Sequence, residues 1–194
     1  MTLSDMNLPN IITLARILLI PVFVIFYLVP GDWTYASSAI FFGLAAFTDW
    51  LDGYLARKLD QTTPFGAFLD PVADKLIVVS ALVLLVAHHS NVWLTLPSLV
   101  IIGREIVISA LREWMAEMNR SGFIAVTLLG KIKTTVQMIA IFMLLAHAPD
   151  LEAWWVIGAY VLLYVAAFMT LWSMSVYLTA AWPTLKLGLQ NRKG

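Results

Sequence analysis

Apolar residues run along this chain in long blocks, broken at intervals by short polar segments. A helix needs roughly 20 residues to cross the hydrocarbon core of a bilayer. Six segments reach that scale: 9–29, 35–58, 64–88, 92–117, 130–147 and 152–180. Turn chemistry separates them, in "VPGDW" at 29–33, "DQTTP" at 60–64, "HHSN" at 88–91, "NRSG" at 119–122 and "HAPD" at 147–150. The closing "PTLKLGLQNRKG" at 183–194 reads as a short basic tail. No repeat or low-complexity stretch interrupts the pattern. It predicts an all-α integral membrane protein of six transmembrane helices, built as one membrane domain over 1–194.

Composition agrees. Of the 194 residues, 61% are hydrophobic and 12% charged, and the mean hydropathy is +0.85. An average soluble domain is about 45–50% apolar and about 25% charged. A soluble fold of this size would need more polar surface to cover its core. There is no cysteine, which excludes a disulfide framework, a thiolate metal site and a cysteine nucleophile. "MTLSDMNLPN" carries no Lys or Arg, so the first apolar block is expected to stay as a helix rather than be cleaved as a signal peptide.

Formal net charge is zero and no nucleic-acid partner is expected, but the charges are unevenly placed. The breaks at 29–34, 88–91 and 147–151 hold no Lys or Arg. Arg57 and Lys58 flank the second break. Arg112, Arg120, Lys131 and Lys133 surround the fourth, and Lys186, Arg192 and Lys193 lie in the tail. The positive-inside rule then puts both termini and the even-numbered loops, Gln61 and Ser121 among them, in the cytoplasm, with Asn91 and Asp150 outside. Trp33, Trp93, Trp154 and Trp155 fall near the outer interface, where an aromatic belt belongs.

One stretch breaks the apolar pattern. "FTDWLDGYLARKLDQTTPFGAFLDPVADK", 47–75, holds five aspartates at the facing ends of the second and third spans. Asp49 and Asp52 are three apart, Asp70 and Asp74 four apart, so each pair shares one helix face. In an antiparallel hairpin both pairs lie at similar depth, about 15–20 Å from the loop at 1.5 Å per residue. Gly53, Gly66 and Ala56 permit close approach of the two helices or of a ligand. Four carboxylates at membrane depth repel one another and lose hydration, which a bound divalent cation resolves. All-oxygen donors without cysteine or nearby histidine favour Mg2+ or Mn2+ over zinc, and Mg2+ commonly accompanies phosphate. Arg57, Arg104, Arg112, Lys131 and Lys133 supply cations suited to phosphate.

Plainer roles fit other charges. Asp60 reads as a solvated loop residue, His88 and His89 as outer-loop residues, Glu113 and Glu117 as structural. Glu105 reads as the partner of an arginine. Lys75 either neutralises a carboxylate or contacts substrate. Arg16, inside the first span, either snorkels to the interface or belongs to the site.

The order Asp49-x2-Asp52-Gly53-x2-Ala56-Arg57-x8-Gly66-x3-Asp70-x3-Asp74 resembles the signature of the CDP-alcohol phosphatidyltransferase family at every fixed position. The family's six-helix plan covers nearly the whole chain. "LPNIITLAR" at 8–16, "GREIVISALREWMAE" at 103–117 and "GKIKTTVQM" at 130–138 are similar to the bacterial branch that uses sn-glycerol 3-phosphate as acceptor. The resemblance implies an inner-membrane enzyme of phospholipid synthesis, with its site in a cytoplasm-facing polar cavity. The acceptor's primary hydroxyl attacks the β-phosphorus of CDP-diacylglycerol, and CMP leaves. It implies Asp49, Asp52, Asp70 and Asp74 as ligands of two Mg2+ or Mn2+ ions, with Asp74 also the general base. Gly53, Arg57 and Gly66 hold the CDP moiety; Arg104, Lys131 and Lys133, with Arg112, hold the acceptor phosphate. A homodimer among membrane lipids is the expected assembly. Inositol phosphate is an alternative acceptor. An intramembrane prenyltransferase fits the spacing worse, and a divalent-cation transporter leaves Gly53, Ala56 and Arg57 unexplained.

Overall fold

The computed structural model describes residues 8–31, 33–59, 63–117 and 128–190; at 8, 9, 50, 52–57, 59, 64, 67, 117, 128–131, 183–185 and 187–190 the description covers the helix backbone alone. The described residues form six helices: α1 Leu8–Leu28, α2 Thr34–Leu59, α3 Pro64–His89, α4 Val92–Glu117, α5 Leu128–Leu145 and α6 Trp154–Gln190. Each expected span meets one helix. Gln61 and Ser121, expected above in the cytoplasm, and Asp60 lie outside the described residues.

The expected tail is corrected. Helix α6 runs through Pro183 to Gln190 instead of ending at 180. A preformed helix needs no new nucleus to continue, and Leu and Lys propagate it well. At 37 residues it is about 55 Å long at 1.5 Å per residue, so its end extends beyond what a bilayer core requires.

Three helices are long and apolar enough to cross a membrane, in the segments Asn10–Leu28, Val92–Ala116 and Trp154–Trp182. α5 carries a shorter apolar stretch, Ile132–Leu145. Around the bundle, large apolar side chains point outward, among them Leu18, Ile25, Val83, Leu99 and Phe168. Exposed apolar surface this extensive suits lipid rather than water.

The buried stripe of α1 shows how the sequence sets the packing. Asn10, Thr13, Arg16, Ile20, Phe23 and Tyr27 are all buried, and steps of three and four keep them on one face. The stripe is polar at its first end and apolar at its last. The apolar end packs into the main core, where Phe23 meets Phe42 edge to face at 6.2 Å. α1 rests chiefly on α2 and α3, and α6 on α5 and α4. A smaller cluster of Ile108, Leu111, Met115 and Ala181 joins α4 to α6.

α2 and α3 touch each other only lightly. α1 supplies bridging side chains between them: Gly66, one of the glycines expected to permit close approach of a helix or a ligand, faces α1, while Gly53 is described by its backbone alone. A Cβ at Gly66 would stand 2.6 Å from Asn10 Oδ1, so the missing side chain makes room for α1, not α2. Beside it Thr63 caps α3: its Oγ1 accepts from Gly66 N–H at 3.0 Å and donates to Asn10 Oδ1 at 3.1 Å.

At the other end, Tyr27 of α1, Tyr35 of α2 and His88 of α3 stack edge to face, and His89 hydrogen-bonds Tyr160 of α6 at 3.0 Å. Exposed Trp33 in the connection before α2, Trp93 in the first turn of α4, and Trp154 and Trp155 in the first turn of α6 lie at this end. Aromatic residues with polar tips suit a membrane–water boundary.

Candidate active site

A cavity of about 790 Å³ opens among α1, α2, α3, α4 and α5. Asp49, Asp70, Asp74 and Lys75 line it from α2 and α3, with Arg16 from α1, Glu105 and Arg112 from α4, and Gln137 from α5. Its apolar wall includes Phe42, Ile77, Met138 and Phe142. Gly43 keeps α2 close to α5 there: an added Cβ would lie 3.3 Å from the Phe142 ring.

Arg16 is central. It is fully buried, so the snorkelling alternative is overturned. Its Nη1 lies 2.8 Å from Asp49 Oδ1 and 2.8 Å from Asp74 Oδ1. One turn earlier on the same face, Thr13 Oγ1 donates to Asp70 Oδ1 at 2.8 Å. α1 thus meets three aspartates with two residues spaced i, i+3. The two carboxylates on Arg16 are about half exposed, at 47% and 51%. Their outer sides face the cavity.

Among the described residues, no three carboxylate or histidine side chains crowd closely enough to hold one ion together. Asp52, the remaining member of the quartet, is described by its backbone alone, as are Gly53, Arg57 and Lys131. The donor set still suits a hard divalent cation. Asp49 and Asp74 already converge on one cationic nitrogen, every donor is oxygen, and Asp70 lines the same cavity.

A second charged cluster stands across the cavity. Glu105 Oε1 takes a 2.8 Å ion pair from Arg104 and a 3.3 Å one from Lys133, which bears out its reading as an arginine's partner. Lys133 is 2% exposed and Arg104 10%. Arg104 also donates to Ser173 Oγ of α6 at 3.3 Å. Arg112 donates to Tyr177 Oη at 2.8 Å, with its guanidinium over that ring. Arg112 and Glu105 are on the cavity wall, while Arg104 and Lys133 reach it through Glu105.

Sequence reasoning missed Asn10, Thr13 and Gln137. The signal for the first two was present: with Arg16 they are the polar positions on one face of an otherwise apolar helix. His88 and His89, read as solvated, are bound into the aromatic cluster at the far end, His89 partly buried. Lys75 lines the cavity beside Asp74.

Residues 6–182 match the family described as CDP-alcohol phosphatidyltransferase. A Pseudomonas fluorescens protein named CDP-diacylglycerol–glycerol-3-phosphate 3-phosphatidyltransferase is 57% identical over 183 residues, 93% of each chain. Proteins of the same name from Salmonella typhimurium and Escherichia coli K12 are each 50% identical over 175 residues, covering 90% of this chain and 94% of theirs.

Proposed function

The chain belongs to the CDP-alcohol phosphatidyltransferase family, and from that premise we propose that it transfers a phosphatidyl group from CDP-diacylglycerol to sn-glycerol 3-phosphate, releasing CMP and leaving phosphatidylglycerol phosphate in the membrane. It is an enzyme of phospholipid synthesis. The observation that carries the reading is the pairing, across one cavity, of an aspartate face on α2 and α3 with a cationic cluster on α4 and α5. One side suits a metal-bound diphosphate and the other a phosphomonoester.

Asp49, Asp52, Asp70 and Asp74 would hold the divalent cation, Mg2+ or Mn2+ and two ions by family pattern. Bound there, it would offset the carboxylate charge and supply Lewis acidity at the diphosphate. Thr13 and Arg16 orient Asp70, Asp49 and Asp74. Gly53, Arg57 and the backbone near Gly66 receive the CDP moiety. Arg112, Arg104, Lys131 and Lys133 take the acceptor phosphate, with Glu105 holding Arg104 and Lys133 in place until it arrives. The acceptor's primary hydroxyl forms a bond to the β-phosphorus, the bond from that phosphorus to the CMP oxygen breaks, and Asp74 accepts the hydroxyl proton. A general base of this kind contributes about 10²–10⁴-fold.

The site opens to the cytoplasm in this reading, with six crossings, both termini inside, one domain over 1–194 and a homodimer in the bacterial inner membrane. Lys and Arg at the site end of the bundle support that orientation. Purified protein given CDP-diacylglycerol with sn-glycerol 3-phosphate, inositol phosphate or serine tests the assignment. CMP release is expected with the first. Release only with inositol phosphate moves the chain to another branch, and metal flux without CMP release makes it a transporter.

A further inference from the structure

Gln137 lines the cavity, yet nothing in the mechanism above uses it. It is 4% exposed, and its Oε1 is buried with no hydrogen-bond partner among the described residues. It lies on α5 one turn beyond Lys133, on the same face. Of its neighbours on the wall, Met138, Ile139 and Phe142 carry no donor, and the hydroxyls of Thr134 and Thr135 make no hydrogen bond to its Oε1. A buried acceptor left unpaired is costly, so the position makes physical sense if a ligand brings the donor.

The chemistry of the ligands narrows the donor. A diphosphate and a dianionic phosphate present acceptor oxygens only. The nucleotide's ribose and base donate, but the reading above places them against α2 and α3 near Gly53 and Arg57. The acceptor's attacking hydroxyl is taken by Asp74. With the phosphate near Lys133 and Arg112 and the primary hydroxyl near Asp74, the remaining donor is the hydroxyl on the carbon between them.

We propose that Gln137 accepts a hydrogen bond from the C2 hydroxyl of sn-glycerol 3-phosphate and thereby selects a 1,2-diol phosphate of one hand. This inference rests on glycerol 3-phosphate being the acceptor. A site built to bond a hydroxyl rejects the analogue that lacks it, because its own polar group stays unpaired.

The test measures CMP release by the purified full-length protein with three acceptors: sn-glycerol 3-phosphate, 3-hydroxypropyl phosphate, which lacks the C2 hydroxyl, and sn-glycerol 1-phosphate. The unaltered protein is expected to lose about tenfold or more in kcat/KM on removal of the hydroxyl. Gln137→Met is expected to lose a similar factor with sn-glycerol 3-phosphate, to leave 3-hydroxypropyl phosphate turnover unchanged, and to relax the preference between enantiomers. Equal losses on both acceptors, or a rise in KM for CDP-diacylglycerol instead, overturns the assignment. So does an unaltered protein that uses 3-hydroxypropyl phosphate as well as the natural acceptor, whether or not the variant folds. An unaltered protein that turns over inositol phosphate but not sn-glycerol 3-phosphate refutes the functional reading itself, and the Gln137 assignment falls with it.

Discussion

Arg16 and Asp74, fifty-eight positions apart in sequence, meet at 2.8 Å through Nη1 and Oδ1. The same nitrogen lies 2.8 Å from Asp49. A fully buried guanidinium thus ties together two helices that barely touch each other. The arrangement gives α1 an electrostatic function that its apolar composition conceals.

Arg16→Met removes that tie and leaves two like charges facing each other. Breaking a fully buried pair costs about 3–5 kcal/mol, but both aspartates are about half exposed to the cavity. A loss of about 1–3 kcal/mol is the better expectation. The variant should melt at lower temperature in chelator. Divalent cation should then raise its Tm more than it raises that of the unaltered protein, because no internal cation competes for the carboxylates. Equal melting temperatures in chelator would show that the Arg16 contacts contribute nothing to the fold.

How far the sequence discloses the site depends on periodicity. Asp49 with Asp52 and Asp70 with Asp74 are legible because the spacing assigns each pair to a face, and helix rise gives the depth. Spacing cannot say which neighbour a face meets. Gly66 thus reads as open to a helix or a ligand, and only the packing shows that Asn10 of α1 occupies its open side. Arg16 had two readings for the same reason, since a lone cation in an apolar helix satisfies both snorkelling and pairing. Gln137 gave no signal at all: one amide beyond a lysine looks like a helix surface until the packing of α5 against α2 and α3 buries it. The run 183–190 reads as a short basic tail because it leaves the apolar block, whereas a helix already formed continues through it.

The acceptor pocket predicts a split between the two substrates. Arg112→Ala and Arg104→Ala should raise KM for sn-glycerol 3-phosphate about tenfold or more, the worth of one charge-assisted hydrogen bond. KM for CDP-diacylglycerol should hold steady. Lys133→Met should do the same while also lowering Tm, because Lys133 is buried against Glu105 and its loss leaves that carboxylate with one partner fewer. Steady-state kinetics with each substrate varied in turn checks this. A rise confined to the liponucleotide would move these residues to the other side of the reaction.

Orientation can be read with single cysteines, since the chain has none of its own. Cysteine at Asn91 or Asp150 should react with a membrane-impermeant maleimide added to intact cells. Cysteine at Lys58, an exposed residue at the site end of α2, should react only after the cells are opened. Labelling of position 58 in intact cells would place the cavity on the outer side and disconnect it from cytoplasmic CDP-diacylglycerol chemistry.

Asp74 and Asp49 share the Arg16 nitrogen, yet the proposed chemistry asks different things of them. Asp74→Asn keeps size and shape but removes the proton acceptor, so it should lower kcat by about 10²–10⁴-fold with little change in CDP-diacylglycerol KM. Asp49→Asn removes an anionic oxygen from the metal-binding face. Its activity should fall at low Mg2+ and recover in part as Mg2+ rises, whereas the unaltered protein should lose activity in chelator and regain it in full. Titrating Mg2+ against initial rate for both variants separates the roles. Each variant also weakens the hold on Arg16, so a similar drop in Tm for the two would mark the shared structural component and leave the kinetic difference to chemistry. If excess Mg2+ restores Asp74→Asn to near-normal turnover, Asp74 acts through the metal, and the proton goes to another carboxylate on the same wall, with Asp70, held by Thr13 at 2.8 Å, the first to examine.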